Sequence, residues 1–141
     1  MAKQKQRQIS LALQGGGAHG AYTWGVLDRL IEEDDLEIQA ISATSAGAMN
    51  AVAFSAGMAE NGVQGAKDTL EALWQGISKS SRNVTPYGAL SPIVFAYASA
   101  MSSLASPYDL NPFNINPLRD VVEQVIDFSK VDESGIQLFL S

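Results

Sequence analysis

Two short apolar runs, each ended by small residues and each followed by a helical pattern, dictate most of what this chain can fold into. The first, residues 9–14 (ISLALQ), runs into "GGGAHG" at residues 15–20; the second, residues 37–43 (EIQAISA), runs into Thr44, Ser45 and a stretch of small residues. Both are too short and too rich in Ile and Leu to be helices, so each is expected to be a buried strand. After the first, Trp24, Leu27, Leu30 and Ile31 share one helical face, and the acidic cluster "EEDDLE" closes that helix on a solvated surface. After the second, Ala46, Met49 and Ala53 share a face while the other faces are nearly as apolar. That pattern is expected of a central helix packed on several sides.

The rest of the chain repeats the alternation. Ala66, Leu70, Leu73, Trp74 and Ile77 follow surface-helix spacing, and the polar patch "SKSSRN" is expected to end that helix. All five prolines fall from Pro86 to Pro117. Between them, residues 91–105 (SPIVFAYASAMSSLA) are apolar on every side but far short of the roughly 20 residues of a membrane span. A buried helix is the first reading of that stretch, a lid or interfacial segment meeting lipid the second. Asn116 and Pro117 make a good helix start for the stripe Leu118, Val121, Val122, Val125 and Ile126, and "GIQLFLS" at residues 135–141 reads as a last strand. Strands alternating with helices imply an α/β domain with a mostly parallel sheet and helices on its faces.

Composition narrows the function classes. With 141 residues, 46% hydrophobic and 17% charged, the chain is one globular domain, and a net charge of −6 argues against a sequence-independent grip on nucleic acid. The absence of cysteine excludes a disulfide framework and thiolate metal sites. Lys3, Lys5 and Arg7 mimic the start of a signal peptide, but the apolar continuation is too short for one, so the expected location is cytoplasmic, peripheral to a membrane at most.

Gly15, Gly17 and Gly20 satisfy the G-x-G-x-x-G spacing of a dinucleotide loop. That reading, which would make the chain a nucleotide-binding oxidoreductase fragment, also demands an Asp or Glu at the end of the second strand. The strand ends in "ISATS", and Glu37 stands at its beginning. What the strand end carries is Ser45, between a strand and a helix, with Gly47 two residues on. A sharp strand-to-helix turn lifts a serine hydroxyl clear of the sheet and needs small neighbours to do so. Parallel packing would bring both strand ends to one edge, where glycine N–H groups can approach a developing oxyanion and the helix N-terminus favours negative charge. Ser42 and Thr44 compete as hydroxyls but point elsewhere on the strand.

"GGGAHG" at residues 15–20 followed by "TSAGAMNA" at residues 44–51 resembles the patatin-like phospholipase family, most closely over residues 9–53. The resemblance implies a three-layer α/β/α sandwich and a lipid acyl hydrolase without metal or cofactor. Ser45 would be the nucleophile; Gly15, Gly16 and Gly17 would form the oxyanion hole; Gly20, Ala43 and Gly47 would complete the loop and elbow. It also implies an aspartate base in a later Asp-Gly motif. Two departures stand out. Ala43 replaces the glycine usual two before the serine, and none of the eight aspartates is followed by glycine. The chain is therefore expected to be the amino-terminal part of one domain (residues 1–141), truncated before its aspartate. It would depend on the remainder of that domain, or on self-association into a homo-oligomer. A non-catalytic lipid-binding remnant of the same fold is the rival.

His19 is the one histidine. At a helix start, where a protonated imidazole is disfavoured, it is expected to be structural or to contact substrate rather than act as a general base. Asp109 reads as a turn residue. Asp120 reads as a first-turn carboxylate explained by the helix dipole.

Overall fold

The computed structural model describes residues 6–84 and 117–141. The apolar stretch at residues 91–105 and Asp109 lie outside them. Strand β1 (Arg7–Leu13) is followed by a single 3-10 turn (Gly17–His19), helix α1 (Gly20–Leu30) and strand β2 (Leu36–Ala43). Helix α2 (Ala46–Val84), helix α3 (Pro117–Val125), a 3-10 segment (Phe128–Ser134) and strand β3 (Gln137–Leu140) complete the order. The three strands form one parallel sheet in the order β1-β2-β3, as the alternation of elements predicts.

β2 is the central strand, and its pairing with β1 carries an irregularity. Ile9 stands opposite Ile38, whereas Ser10 stands opposite Ala40, so β2 holds one extra residue at that point. A bulge of this kind shifts the side-chain alternation by one. Ile38 and Ile41, three apart and destined for opposite faces of a regular strand, thereby both join the core. Leu11, Leu13, Ala43 and Leu138 line the same face. Ser10, Ala12, Ser42 and Phe139 are exposed on the other.

α2 is two helices joined end to end. Asn61 and Gly62 leave the helical region, Gly62 with a φ of 59°, and the chain turns there into a second arm. Gly57 and Gly65 let the two arms meet backbone to backbone, since a Cβ on either would collide with the carbonyl of the other. The first arm buries Ala51, Ala53, Phe54 and Ala56, and the second buries Ala66, Leu70 and Leu73; Leu27 of α1, Ile41 of β2 and Ile126 complete the same core. The expectation of a helix packed on several sides is met by the first arm.

Two expectations about element ends need correction, and one element was not foreseen. "SKSSRN" does not end the second arm, which continues to Val84. Polar residues without Gly or Pro are compatible with a helix. β1 begins two residues earlier than the apolar pattern suggests, because Arg7 donates its N–H to the Asp35 carbonyl and pairs its guanidinium with the Asp35 carboxylate at 2.7 Å. The 3-10 segment has no apolar periodicity to announce it. It is held by local chemistry: the Asp127 carboxylate accepts from the Ser129 N–H at 3.0 Å and the Ser129 hydroxyl at 2.6 Å.

Candidate active site

The carboxyl ends of the strands meet at one edge, with Leu13, Ala43 and Leu140 in register. From the end of β1 the glycine loop departs; from the end of β2 the chain turns through Thr44 and Ser45 into α2. Ser45 has a φ of 52° and is the one non-glycine residue with positive φ among the described residues. An L-residue in that region is strained, and such strain concentrates at functional turns. The turn is closed by Gly47 and Ala48 donating to the Thr44 carbonyl at 2.9 and 3.4 Å, and by Met49 donating to the Ser45 carbonyl at 3.1 Å. Ser45 is left exposed at the N-terminus of α2, the positive end of the helix dipole.

Small residues surround the turn because backbone crowds it. A Cβ on Gly47 would lie 2.5 Å from the Leu13 carbonyl oxygen and 2.9 Å from that of Gln14. A Cβ on Gly15 would lie 3.0 Å from the Ser45 Cβ and 3.2 Å from the Thr44 carbonyl oxygen. The glycine loop and Ser45, separate in sequence, are therefore in contact. Ala43, where the resemblance leads one to expect glycine, is buried in the core, so its methyl packs rather than obstructs. Thr44 donates its N–H to the Leu13 carbonyl at 3.3 Å and its hydroxyl to the Ser141 carbonyl at 3.0 Å, locking the turn to both neighbouring strands.

Within the loop, Gly17 has a φ of 57°. The Gly16 carbonyl accepts twice from His19, from its N–H at 3.1 Å and from Nδ1–H at 3.0 Å. Because a carbonyl only accepts, Nδ1 carries the proton in this contact. The Gly16–Gly17 peptide is thus pinned by its oxygen, and in a trans peptide the Gly17 N–H points the opposite way. His19 is exposed and its Nδ1 is engaged with the loop. Asp120 lies exposed in the first turn of α3, as predicted.

Gly20 does something the dinucleotide spacing does not require. A Cβ there would lie 2.8 Å from the Ala46 Cβ and 2.8 Å from the Trp74 ring, so α1 begins directly against the first residue of α2. Beside it Asn50 is 0% exposed; it donates Nδ2–H to the Gly20 carbonyl at 2.9 Å and accepts from Trp74 Nε1–H at 2.8 Å. Sequence reasoning missed this pair. The signal was present: one amide inside the otherwise apolar run "AMNAVAF" has to find buried partners.

An open pocket of about 700 Å³ sits at the strand ends, lined by Ala12, Gln14, Ser42, Thr44, Phe139 and Ser141 among others, and none of these side chains is ionisable. Among the described residues no group of three or more His, Cys, Asp or Glu side chains is placed to hold a metal ion. No described helix is long and apolar enough to cross a membrane.

No curated protein and no solved structure matches the chain. The sequence model of the patatin-like phospholipase family, however, matches residues 11–141, a span that takes in the glycine loop, the strained serine turn and all three strand ends. The chain belongs to the patatin-like phospholipase family.

Proposed function

We propose that the protein hydrolyses lipid acyl esters, with Ser45 as nucleophile and the N–H groups of Gly15, Gly16 and Gly17 as the oxyanion hole. The observation that carries this reading is Ser45 at a φ of 52°, exposed, in contact with Gly15. Ser45 Oγ attacks the ester carbonyl carbon while a base takes its proton. The carbonyl oxygen becomes negative beside the loop, whose donors strengthen as charge develops. Collapse breaks the ester bond, the leaving alcohol recovers the proton, and an acyl-serine remains. Water activated by the same base then releases the fatty acid and restores Ser45. The base in this reading is an aspartate outside residues 1–141, because none of the eight aspartates within them precedes a glycine. The substrate is presented at a lipid surface that the protein contacts transiently.

The dinucleotide alternative lacks its ribose acid: the carboxyl end of β2 carries Ala43, Thr44 and Ser45. A fluorophosphonate probe applied to the full-length protein tests the proposal. Covalent labelling at Ser45, lost in Ser45→Ala together with ester hydrolysis, is the expected result. Hydrolysis surviving in folded Ser45→Ala would overturn it, and a folded wild type that neither labels nor turns over would favour the lipid-binding remnant.

A further inference from the structure

Asn50 stands five residues beyond the strained serine, and its carboxamide is buried between two groups that leave it no choice of orientation. Trp74 Nε1–H can only donate and the Gly20 carbonyl can only accept. The amide oxygen must therefore face Trp74, at 2.8 Å, and the amide nitrogen must face Gly20, at 2.9 Å. At this reach an amide is the side chain that serves both partners. A carboxylate would present an oxygen to the Gly20 carbonyl, and an aliphatic side chain would leave the buried Trp74 indole N–H without its acceptor.

What this clamp joins is specific. Gly20 is the first residue of α1 and the downstream anchor of the glycine loop, whose upstream anchor is the Leu13 carbonyl held by the Thr44 N–H. Asn50 lies on the helix that begins at Ser45. The loop thus spans from one fixed point beside Ser45 to another, and Asn50 supplies the second. With Gly20 packed against Ala46 and the Trp74 ring, the clamp fixes the start of α1 relative to the start of α2.

We infer that Asn50, oriented by Trp74, is a positioning residue that holds the glycine loop in register with Ser45 for oxyanion stabilisation. This rests on the hydrolase reading above. It acts through the loop and touches no substrate, so its loss should weaken the transition state more than ground-state binding.

The test uses the full-length protein and a short-chain p-nitrophenyl ester, with kcat expressed per serine titrated by fluorophosphonate, so that unfolded molecules are not counted. Asn50→Asp keeps shape and volume while removing the donor to Gly20. It is expected to lower kcat about tenfold or more with KM within about twofold, and to slow phosphonylation of Ser45 in parallel. Trp74→Phe keeps a ring but frees the amide to turn. It should give a smaller loss of the same kind, and it carries the test where Asn50→Asp does not fold. A folded variant of either kind with wild-type kcat per titrated site would overturn the inference, as would a loss confined to KM. A wild type that is not labelled at Ser45 is a distinct result, which removes the hydrolase reading and this inference with it.

Discussion

Gly15 rests against Ser45 so closely that a Cβ on the glycine would stand 3.0 Å from the serine's own Cβ. The loop and the turn are two halves of one construction, and each constrains what the other tolerates. Gly15→Ala should therefore displace Ser45 or the loop by a few tenths of an ångström. If the loop is the oxyanion hole proposed above, the displacement falls on hydrogen bonds that act only as charge develops, so a loss of about ten- to a hundredfold in kcat is expected, with little change in KM. Steady-state kinetics on the full-length protein decide this; a fall in affinity alone would mean that the loop binds substrate in the ground state.

The strain at Ser45 predicts an unusual stability order. Glycine adopts a φ near 52° freely, whereas alanine, like serine, is strained there by roughly 1–2 kcal/mol. Glycine's extra freedom in the unfolded chain takes back about 0.5–1 kcal/mol of that gain. Ser45→Gly should thus be inactive yet as stable as the parent or more so, and more stable than Ser45→Ala by up to about 1 kcal/mol. Denaturant unfolding of the two variants measures the difference. Equal stabilities would show that the turn relaxes out of the positive-φ region once the serine is gone.

The Lys67 ammonium, hydrogen-bonded to Glu32 at 2.6 Å, holds the Glu32 carboxyl below its ordinary value of 4.5, and Glu32 in turn raises Lys67 above its ordinary 10.5. This pair ties the turn after α1 to the second arm of α2. A depressed carboxylate contributes stability that is complete above its unfolded value and lost as pH falls through the folded one. A raised lysine contributes stability that is complete below its unfolded value and lost as pH rises through the folded one. Glu32→Gln should therefore be slightly less stable than the parent between about pH 5 and 10, with the two converging as acid protonates Glu32. Both groups are at the surface, so raising the salt concentration should shrink the difference. Thermal melts across pH at two ionic strengths check it; a difference that persists at low pH would assign the effect to packing.

How much of this was legible in the sequence follows from the range of the forces involved. The strand ends, the glycine loop and the serine turn could be read because each is specified locally, by apolar runs broken by small residues. The β2 bulge could not, since it is a property of pairing with β1 and leaves no mark on either strand alone. Asn50 and Trp74 are separated by 24 positions, and their bond exists only because α2 folds back on itself at Gly62. The small residues around Ser45 were legible as a pattern, but their separate reasons were not. Gly15 makes room for Ser45, Gly20 for Ala46 and Trp74, and Gly47 for the backbone of β1's end.

Those separate reasons give the glycines a rank order. At Gly47 an added methyl meets main-chain oxygen, 2.5 Å from Leu13 and 2.9 Å from Gln14, and neither carbonyl can swing aside. The Leu13 oxygen already accepts from the Thr44 N–H, and Gln14 leads directly into the loop. Gly47→Ala must then push α2 away from β1, at an overpacking cost of about 1–3 kcal/mol, while shifting loop and serine apart. At Gly16 an added methyl stands 3.4 Å from the His19 Cβ, an ordinary contact with a side chain on the exposed surface. Gly16→Ala should consequently leave stability within about 0.5 kcal/mol of the parent. The two variants share a chemical change, one within α2 and one in the loop, and the methyl meets main-chain oxygen at the first and a side chain at the second. Urea unfolding should separate them, with Gly47→Ala destabilised and losing Ser45 labelling while Gly16→Ala remains near wild type in stability. Equal destabilisation would mean that the end of β1 yields to α2, and that the tight seat of Gly47 is not what fixes the serine turn.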